Sequence, residues 1–275
     1  MPFLALRVEV ERAAADTLSD ALLELGAHCA SIDYPDRSRV TLSALFAEHD
    51  DPGTRLADAA RLTGLQVGQP DITRVDDEDW VRRSQAQFEP LRAGPRLWIG
   101  ASWHVAPPDV QAVVRIDPGL AFGTGSHPST RLCLLFLERT VVGGERVLDY
   151  GCGSGILAIA AAKLGAAQVD AVDTDPQAIE VTRSNARENA VDLRPCLPAE
   201  LPGGRYDIVV ANILAQPLIA LAQELASRTA PGGRIALAGI LSSQAHEVAA
   251  AYARSFDIEV GPRDGDWSLV SGLAR

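Results

Sequence analysis

The chain has 275 residues, 47% hydrophobic and 22% charged, with a formal net charge of −11. That balance supports a buried core, while the acidity disfavours direct nucleic-acid binding and suits a basic protein partner. No stretch approaches eighteen apolar residues without a charge, and no basic region precedes an apolar run at the N-terminus. The expectation is therefore a cytoplasmic protein with no membrane span. A monomer is expected. The cysteines at 29, 133, 152 and 196 form no C-x-x-C pair, and the five histidines do not cluster near them. Neither a metal site nor a disulfide framework is expected.

Residues 1–75 alternate between short strand and helix patterns. "FLALRVEV" has a period of two, and "ADTLSDALLELGA" carries helical spacing up to Gly26. "HCASIDY" and "RVTLSALF" read as a strand pair. "DPGTRLADAARLTG" is a second helix ending at Gly64, and an extended "LQVGQPDITRV" follows. The order β-α-β-β-α-β is that of a small α+β, ferredoxin-like domain. Residues 1–90 hold 17 acidic side chains against 9 arginines, a net of −8 out of −11. The acidity is thus concentrated where a basic partner would be attracted.

Residues 76–111 read as a linker helix and strand, with Trp80, Trp98 and Trp103 packing the seam. From 112 to 275 the pattern becomes α/β. Strands "AVVRID", "RVLDYG", "QVDAVD", "YDIVVANI" and "RIALAGI" alternate with helical runs, which predicts a mostly parallel sheet covered on both faces. "FDIEVGPRDGDWSLVSGLA" adds two strands with no helix between them, placing one antiparallel strand in a seven-stranded sheet of Rossmann-like type.

The chemistry is carried by "DYGCGSGILAIAAAKLGA", residues 149–166. Gly151, Gly153 and Gly155 follow a strand and open a helix, so the backbone can approach a ligand and the helix N-terminus offers free amides. A dinucleotide fingerprint needs a sixth-position glycine, but Ile156 stands there. G-x-G-x-G preceded by Asp149 is the S-adenosylmethionine form, in which the aspartate suits an ammonium group. Asp173 ends the next strand, 22 residues after Gly151, where a carboxylate can accept hydrogen bonds from ribose hydroxyls. Asn212 ends a fourth strand and is read as the catalytic residue, accepting hydrogen bonds from an amine and aiming its lone pair at the methyl group. In "IDPGLAFGTGSHPSTRLCLLFLE", Thr130 falls in the first turn of a helix facing the crevice, while His127 is expected to brace the turn rather than act as a base. Cys152 is read as a small filler.

"DPGLAFGTGSHPSTRLCL", "LDYGCGSGILAIAAAKLGA", "DTDPQAIEVTRSNARENAV", "VVANILAQPL" and "DWSLVSGLAR" together resemble the ribosomal protein L11 methyltransferase family, most strongly from about residue 76 onward. The resemblance implies an N-terminal substrate-recognition domain and a class I methyltransferase domain using S-adenosylmethionine. The implied activity is trimethylation of lysine ε-amines and the N-terminal α-amine of L11. It places cofactor contacts on Thr130, Gly151, Asp173 and Asn212, with Phe122 and Gly123 in a loop covering the methyl donor. Little separates "SIDYPDRS" from "RVTLSALF", so the recognition domain is shorter than the family's. The rival readings are a lysine methyltransferase for another protein, such as the electron-transfer flavoprotein β-subunit, and a non-catalytic protein that binds S-adenosylmethionine. A nicotinamide oxidoreductase is disfavoured by Ile156 and by the absence of a Tyr-x-x-x-Lys pattern.

Overall fold

A computed structural model describes residues 3–33, 39–65, 67–75, 89–117 and 127–275. The chain divides into two compact units, Met1–Gln87 and Phe88–Arg275. Among the described residues, no helix is long and apolar enough to cross a membrane.

In the first unit, β1 (Phe3–Glu11), α1 (Arg12–Glu24), β2 (Cys29–Asp33), β3 (Arg39–Ala47), α2 (Pro52–Thr63) and β4 (Asp71–Val75) follow the expected order. The sheet runs β2-β3-β1-β4 with every pair antiparallel, the split β-α-β arrangement of a ferredoxin-like domain. Period-two alternation explains the burial. Leu6, Val8 and Val10 of β1 and Val40, Leu42, Ala44 and Phe46 of β3 face inward with Leu18, Leu22 and Leu56 of the helices. Arg7 and Glu9 point the other way, to solvent. Asp51 caps α2 by accepting from the Gly53 and Thr54 amides, and Gly64 ends it in the left-handed region.

The second unit opens with β5 (Leu91–Ala93), β6 (Leu97–Gly100) and β7 (Ala112–Arg115), a separate three-stranded sheet. This corrects the expectation that "AVVRID" belongs to the main sheet. Trp98 is buried beneath the Arg115 guanidinium, whereas Trp103 is exposed beside His104; Trp80 lies outside the described residues.

There follow α3 (Pro128–Thr140), β8 (Arg146–Tyr150), α4 (Ile156–Leu164), β9 (Gln168–Val172), α5 (Pro176–Glu188), β10 (Arg194–Cys196) and β11 (Tyr206–Asn212). The chain finishes with α6 (Ala215–Ala220), α7 (Ala222–Arg228), β12 (Thr229–Leu241), α8 (Ala245–Tyr252), β13 (Phe256–Asp264) and β14 (Trp267–Ala274). The main sheet has seven strands in the order β10-β9-β8-β11-β12-β14-β13. All pairs from β10 to β12 are parallel, and β14 alone runs antiparallel to its neighbours. Its seventh strand is β10, a three-residue segment that periodicity cannot detect. One apolar cluster fills each face, with α4 buried almost throughout on one and α8 on the other.

The switch of direction between β8 and β11 opens a crevice at the carboxyl ends of the strands, the usual ligand position in such sheets. The C-terminal end of α5 ties β7 to this arrangement. Buried Asn189 accepts from the Arg115 amide (2.7 Å) and donates to the Arg115 carbonyl (2.7 Å), imitating a strand partner. Replacing Asn189 by Ala removes both partners from a buried peptide and is expected to cost about 2–3 kcal/mol. Chemical denaturation checks this: a loss below about 0.5 kcal/mol would mean that water replaces both bonds.

Candidate active site

The crevice holds a cleft of about 380 Å³ whose wall includes Thr130, Gly151, Gly153, Asn212 and Trp267. Its floor is the glycine turn after β8. Gly151, Gly153 and Gly155 have φ of +85°, +53° and +79°, a run that side chains other than glycine's rarely tolerate. The amides of Gly151 and Cys152 both donate to the Val172 carbonyl (2.7 and 2.9 Å), which pins the turn to the end of β9. A Cβ on Gly155 would lie 2.7 Å from Thr182 Cγ2, so helix α5 packs directly behind the turn.

Two side chains of that helix hold the turn's carbonyls. Thr182 Oγ1 donates to the Gly153 carbonyl (3.0 Å) and Asn185 Nδ2 to the Ser154 carbonyl (2.8 Å). Thr182, Asn185 and Asn189 are three and four residues apart and therefore share one helix face. Asp173, at the end of β9, accepts from the Gly153 amide through Oδ2 (2.9 Å) and from the Asp175 amide through Oδ1 (3.0 Å). An ionised carboxylate has about four lone-pair sites, so roughly two remain for ligand hydroxyls.

Asn212 and Thr130 meet across the cleft, although 82 residues separate them. Asn212 Nδ2 donates to Thr130 Oγ1 at 3.1 Å, and Thr130 is buried at the N-terminus of α3. The bond commits the amide nitrogen to the protein and leaves the carbonyl oxygen as the group available to a ligand. His127 caps the same helix. Its Nδ1 accepts from the Ser129 amide (3.3 Å) and lies 2.7 Å from Ser129 Oγ, with Pro128 at the first helical position. The imidazole packs edge-on against Trp267, with centroids 4.5 Å apart. His127 therefore braces the turn, as expected.

Of the residues expected to bind a ligand, Thr130, Gly151, Gly153 and Asn212 line the cleft together. Asp173 supports the turn from its edge. Asp149 lies beneath it, fully buried, with Oδ2 accepting from the Ala158 amide (3.1 Å) and Oδ1 without a hydrogen-bond partner. It is not among the cleft-lining residues. Phe122 and Gly123 fall outside the described residues. Cys152 is buried, accepts from Thr182 Oγ1, and has its thiol pushed up by burial, in keeping with a filler. Sequence reading missed Trp267 and Gly239, which also line the cleft. A glycine inside the strand pattern "RIALAGI" is a signal for a bulge or a close backbone approach. The tryptophan gives no local signal.

The family model for ribosomal protein L11 methyltransferases matches residues 2–274. The chain belongs to the ribosomal protein L11 methyltransferase family.

A protein of that name from Burkholderia mallei is 46% identical over 297 aligned residues, covering 100% of this chain and 99% of its own. Its Burkholderia multivorans counterpart is 47% identical over 299 residues, with the same coverage. Both alignments are longer than this chain, so the relatives carry residues that it lacks. A solved ribosomal protein L11 methylase from Lactobacillus delbrueckii subsp. bulgaricus superposes with a TM-score of 0.62 at 35% identity, covering 68% of this chain and 100% of that one. The T. thermophilus 16S rRNA N2 G1207 methyltransferase, solved with AdoMet and guanosine, shares the fold at a TM-score of 0.53 and 15% identity. That match covers 98% of this chain and 65% of the other. The fold is that of the class I methyltransferases.

Burial pushes the Asp149 carboxyl up to about 7; the Ala158 amide opposes this and the Asp173 charge adds to it. A carboxyl raised in the folded state contributes stability at low pH, which is lost as pH rises from about 4 through about 7. Asp149→Asn is therefore expected to stabilise the protein relative to wild type by more at pH 8 than at pH 5, by denaturant titration. Ligand affinity is expected to stay within about threefold. A stability difference independent of pH would show that the carboxylate is ionised throughout, and a tenfold loss of affinity would place Asp149 on a ligand ammonium.

Proposed function

We propose that this chain transfers methyl groups from S-adenosylmethionine to ribosomal protein L11, bringing lysine ε-amines and the N-terminal α-amine to the trimethyl state. The family match over nearly the whole chain supports the substrate. The observation that carries the chemistry is the Asn212–Thr130 hydrogen bond at the wall of the glycine-turn cleft.

The residues fit the cofactor. Gly151 and Gly153 line the cleft at φ of +85° and +53°, so the turn can present its backbone to a ligand's amino-acid end. The carboxylate of Asp173 keeps lone pairs for ribose hydroxyls, and the start of α4 offers the turn amides. S-adenosylmethionine supplies, when bound, an electrophilic methyl group on a sulfonium.

The work left to the protein is to present a neutral amine in line. A free lysine has a pKa of about 10.4, so only on the order of one in a thousand is neutral at pH 7. Apolar walls disfavour the ammonium, and Trp267 with Leu214, which is 70% exposed at the rim, supplies such walls here. Asn212 Oδ1 accepts a hydrogen bond from the amine and turns its lone pair toward the methyl group, while Thr130 holds the amide in that sense. The released proton goes to water. The first unit, acidic over the stretch that carries most of the net charge, recognises the basic substrate. The protein acts in the cytoplasm as a monomer, without direct nucleic-acid contact.

Intact mass of purified L11 after incubation with the protein and S-adenosylmethionine tests the reading. Gains in multiples of three methyl groups are expected. An unmodified L11 beside a protein that still binds the cofactor would exclude L11 as acceptor and favour another protein lysine. Asn212→Ala is expected to lower kcat about 10²-fold or more while cofactor affinity stays within about threefold. Thr130→Val, which frees the carboxamide to rotate, is expected to cost about tenfold in kcat. Wild-type turnover in either variant would remove that residue from the mechanism.

A further inference from the structure

Asn212 ends β11 opposite Ala238 of β12. The next residue on β12 is Gly239, with φ of +80°, and the β12–β14 register shifts between Leu237 and Ile240. The strand therefore bulges beside the residue read as catalytic, as strands do where a side chain is re-aimed. A Cβ on Gly239 would lie 2.5 Å from the Ile213 carbonyl oxygen, 2.9 Å from its carbonyl carbon and 3.0 Å from its amide nitrogen.

All three contacts are to backbone. Gly151 also approaches Ile213, but there the contact is with its Cγ2 methyl, which a rotamer change can move. Gly232, on the same strand, has φ of +72° and nothing within 4 Å of a built Cβ. It shares the left-handed backbone without the crowding. Real Cβ atoms essentially never come within 3.0 Å of another heavy atom. An alanine at 239 therefore has to displace the Ile213 peptide by about half an ångström, and Asn212 is the residue covalently attached to it.

We propose that Gly239 is a positioning residue for methyl transfer: its bare Cα lets the Ile213 peptide settle against β12 and so sets the Asn212 carboxamide on Thr130. The inference rests on the reading of Asn212 as the amine acceptor. The Asn212–Thr130 bond is already 3.1 Å long, so a shift of this size weakens it. Displacements near 1 Å in an aligned site cost about 10²-fold in rate.

A double-mutant cycle tests this, with L11 as acceptor, kcat from single turnovers and cofactor Kd from calorimetry. Gly239→Ala is expected to lower kcat ten- to a hundredfold with Kd within threefold, while Gly232→Ala stays at the wild-type kcat. In an Asn212→Ala background, adding Gly239→Ala is expected to change kcat by less than twofold, because the residue through which Gly239 acts is gone. A purely structural role would multiply the two losses, and that result overturns the proposal. So does a fully active Gly239→Ala beside a crippled Asn212→Ala. Full activity of Asn212→Ala overturns the reading of Asn212 and the proposal with it. Should Gly239→Ala fail to fold, Ala238→Gly slackens the same bulge without adding atoms. A three- to tenfold fall in kcat at unchanged Kd is then expected, and an unchanged kcat overturns the proposal.

Discussion

A glycine loop that must present a fixed surface to a ligand has to be held from outside itself. The turn after β8 is held through both kinds of backbone group: the amides of Gly151 and Cys152 donate to Val172 and that of Gly153 to Asp173, while its carbonyls accept from helix α5. Thr182 and Asn185 grip Gly153 and Ser154 from behind, so the turn keeps its left-handed run at three successive odd positions. Without that grip, the glycines that permit the shape would equally permit many others, since glycine loses more conformational freedom on folding than any other residue. The same helix face reaches β7 through Asn189. One stripe of short polar side chains thus joins the glycine turn to the strand that leads toward the "DPGLAFGTG" segment.

Beneath the turn, Asp149 raises a second question of cost. A buried carboxylate with one oxygen unpaired is expensive when ionised. Its elevated pKa means that near neutral pH the site is partly protonated, which lowers that cost. Its Oδ2 accepts from the Ala158 amide, in the first turn of α4, where the helix dipole favours negative charge. In the fold this aspartate supports the start of the helix under the turn.

Sequence reading reached the fold because period and turn chemistry are local. Alternating apolar residues placed β1 and β3, the glycine-terminated helical runs placed α1, α2 and α4, and the helix-free gap before "DWSLVSGLAR" placed the antiparallel strand. It failed where tertiary context decides. β7 carries the same apolar alternation as a main-sheet strand, but β6 pairs with it instead. β10 is three residues long and contains Pro195, too short for a period and carrying a residue that strands avoid. "QPLIALAQELASRT" reads as one helix but folds as two that meet at Leu221. In the site, the glycine turn and the strand-end Asp173 and Asn212 are visible because their roles follow from local order. The Thr130–Asn212 bond and the Trp267–His127 contact join segments far apart in sequence, so no spacing announces them.

The division of labour follows from the distribution of charge and shape. The cleft is lined by three glycines, small polar groups and a larger apolar share that includes Ile156, Leu157, Ile213, Leu214 and Trp267. On the proposed reading the same pocket takes a lysine side chain or an α-amine, because it reads the nucleophile rather than the chain that carries it. Selectivity for one protein must then come from surface outside the cleft. Residues 1–90 carry −8 of the net charge of −11. Charge of this kind chooses and orients a basic partner while adding little to the strength of any one contact. On the proposed reading, changes in the first unit shift which protein is modified without altering the transfer step.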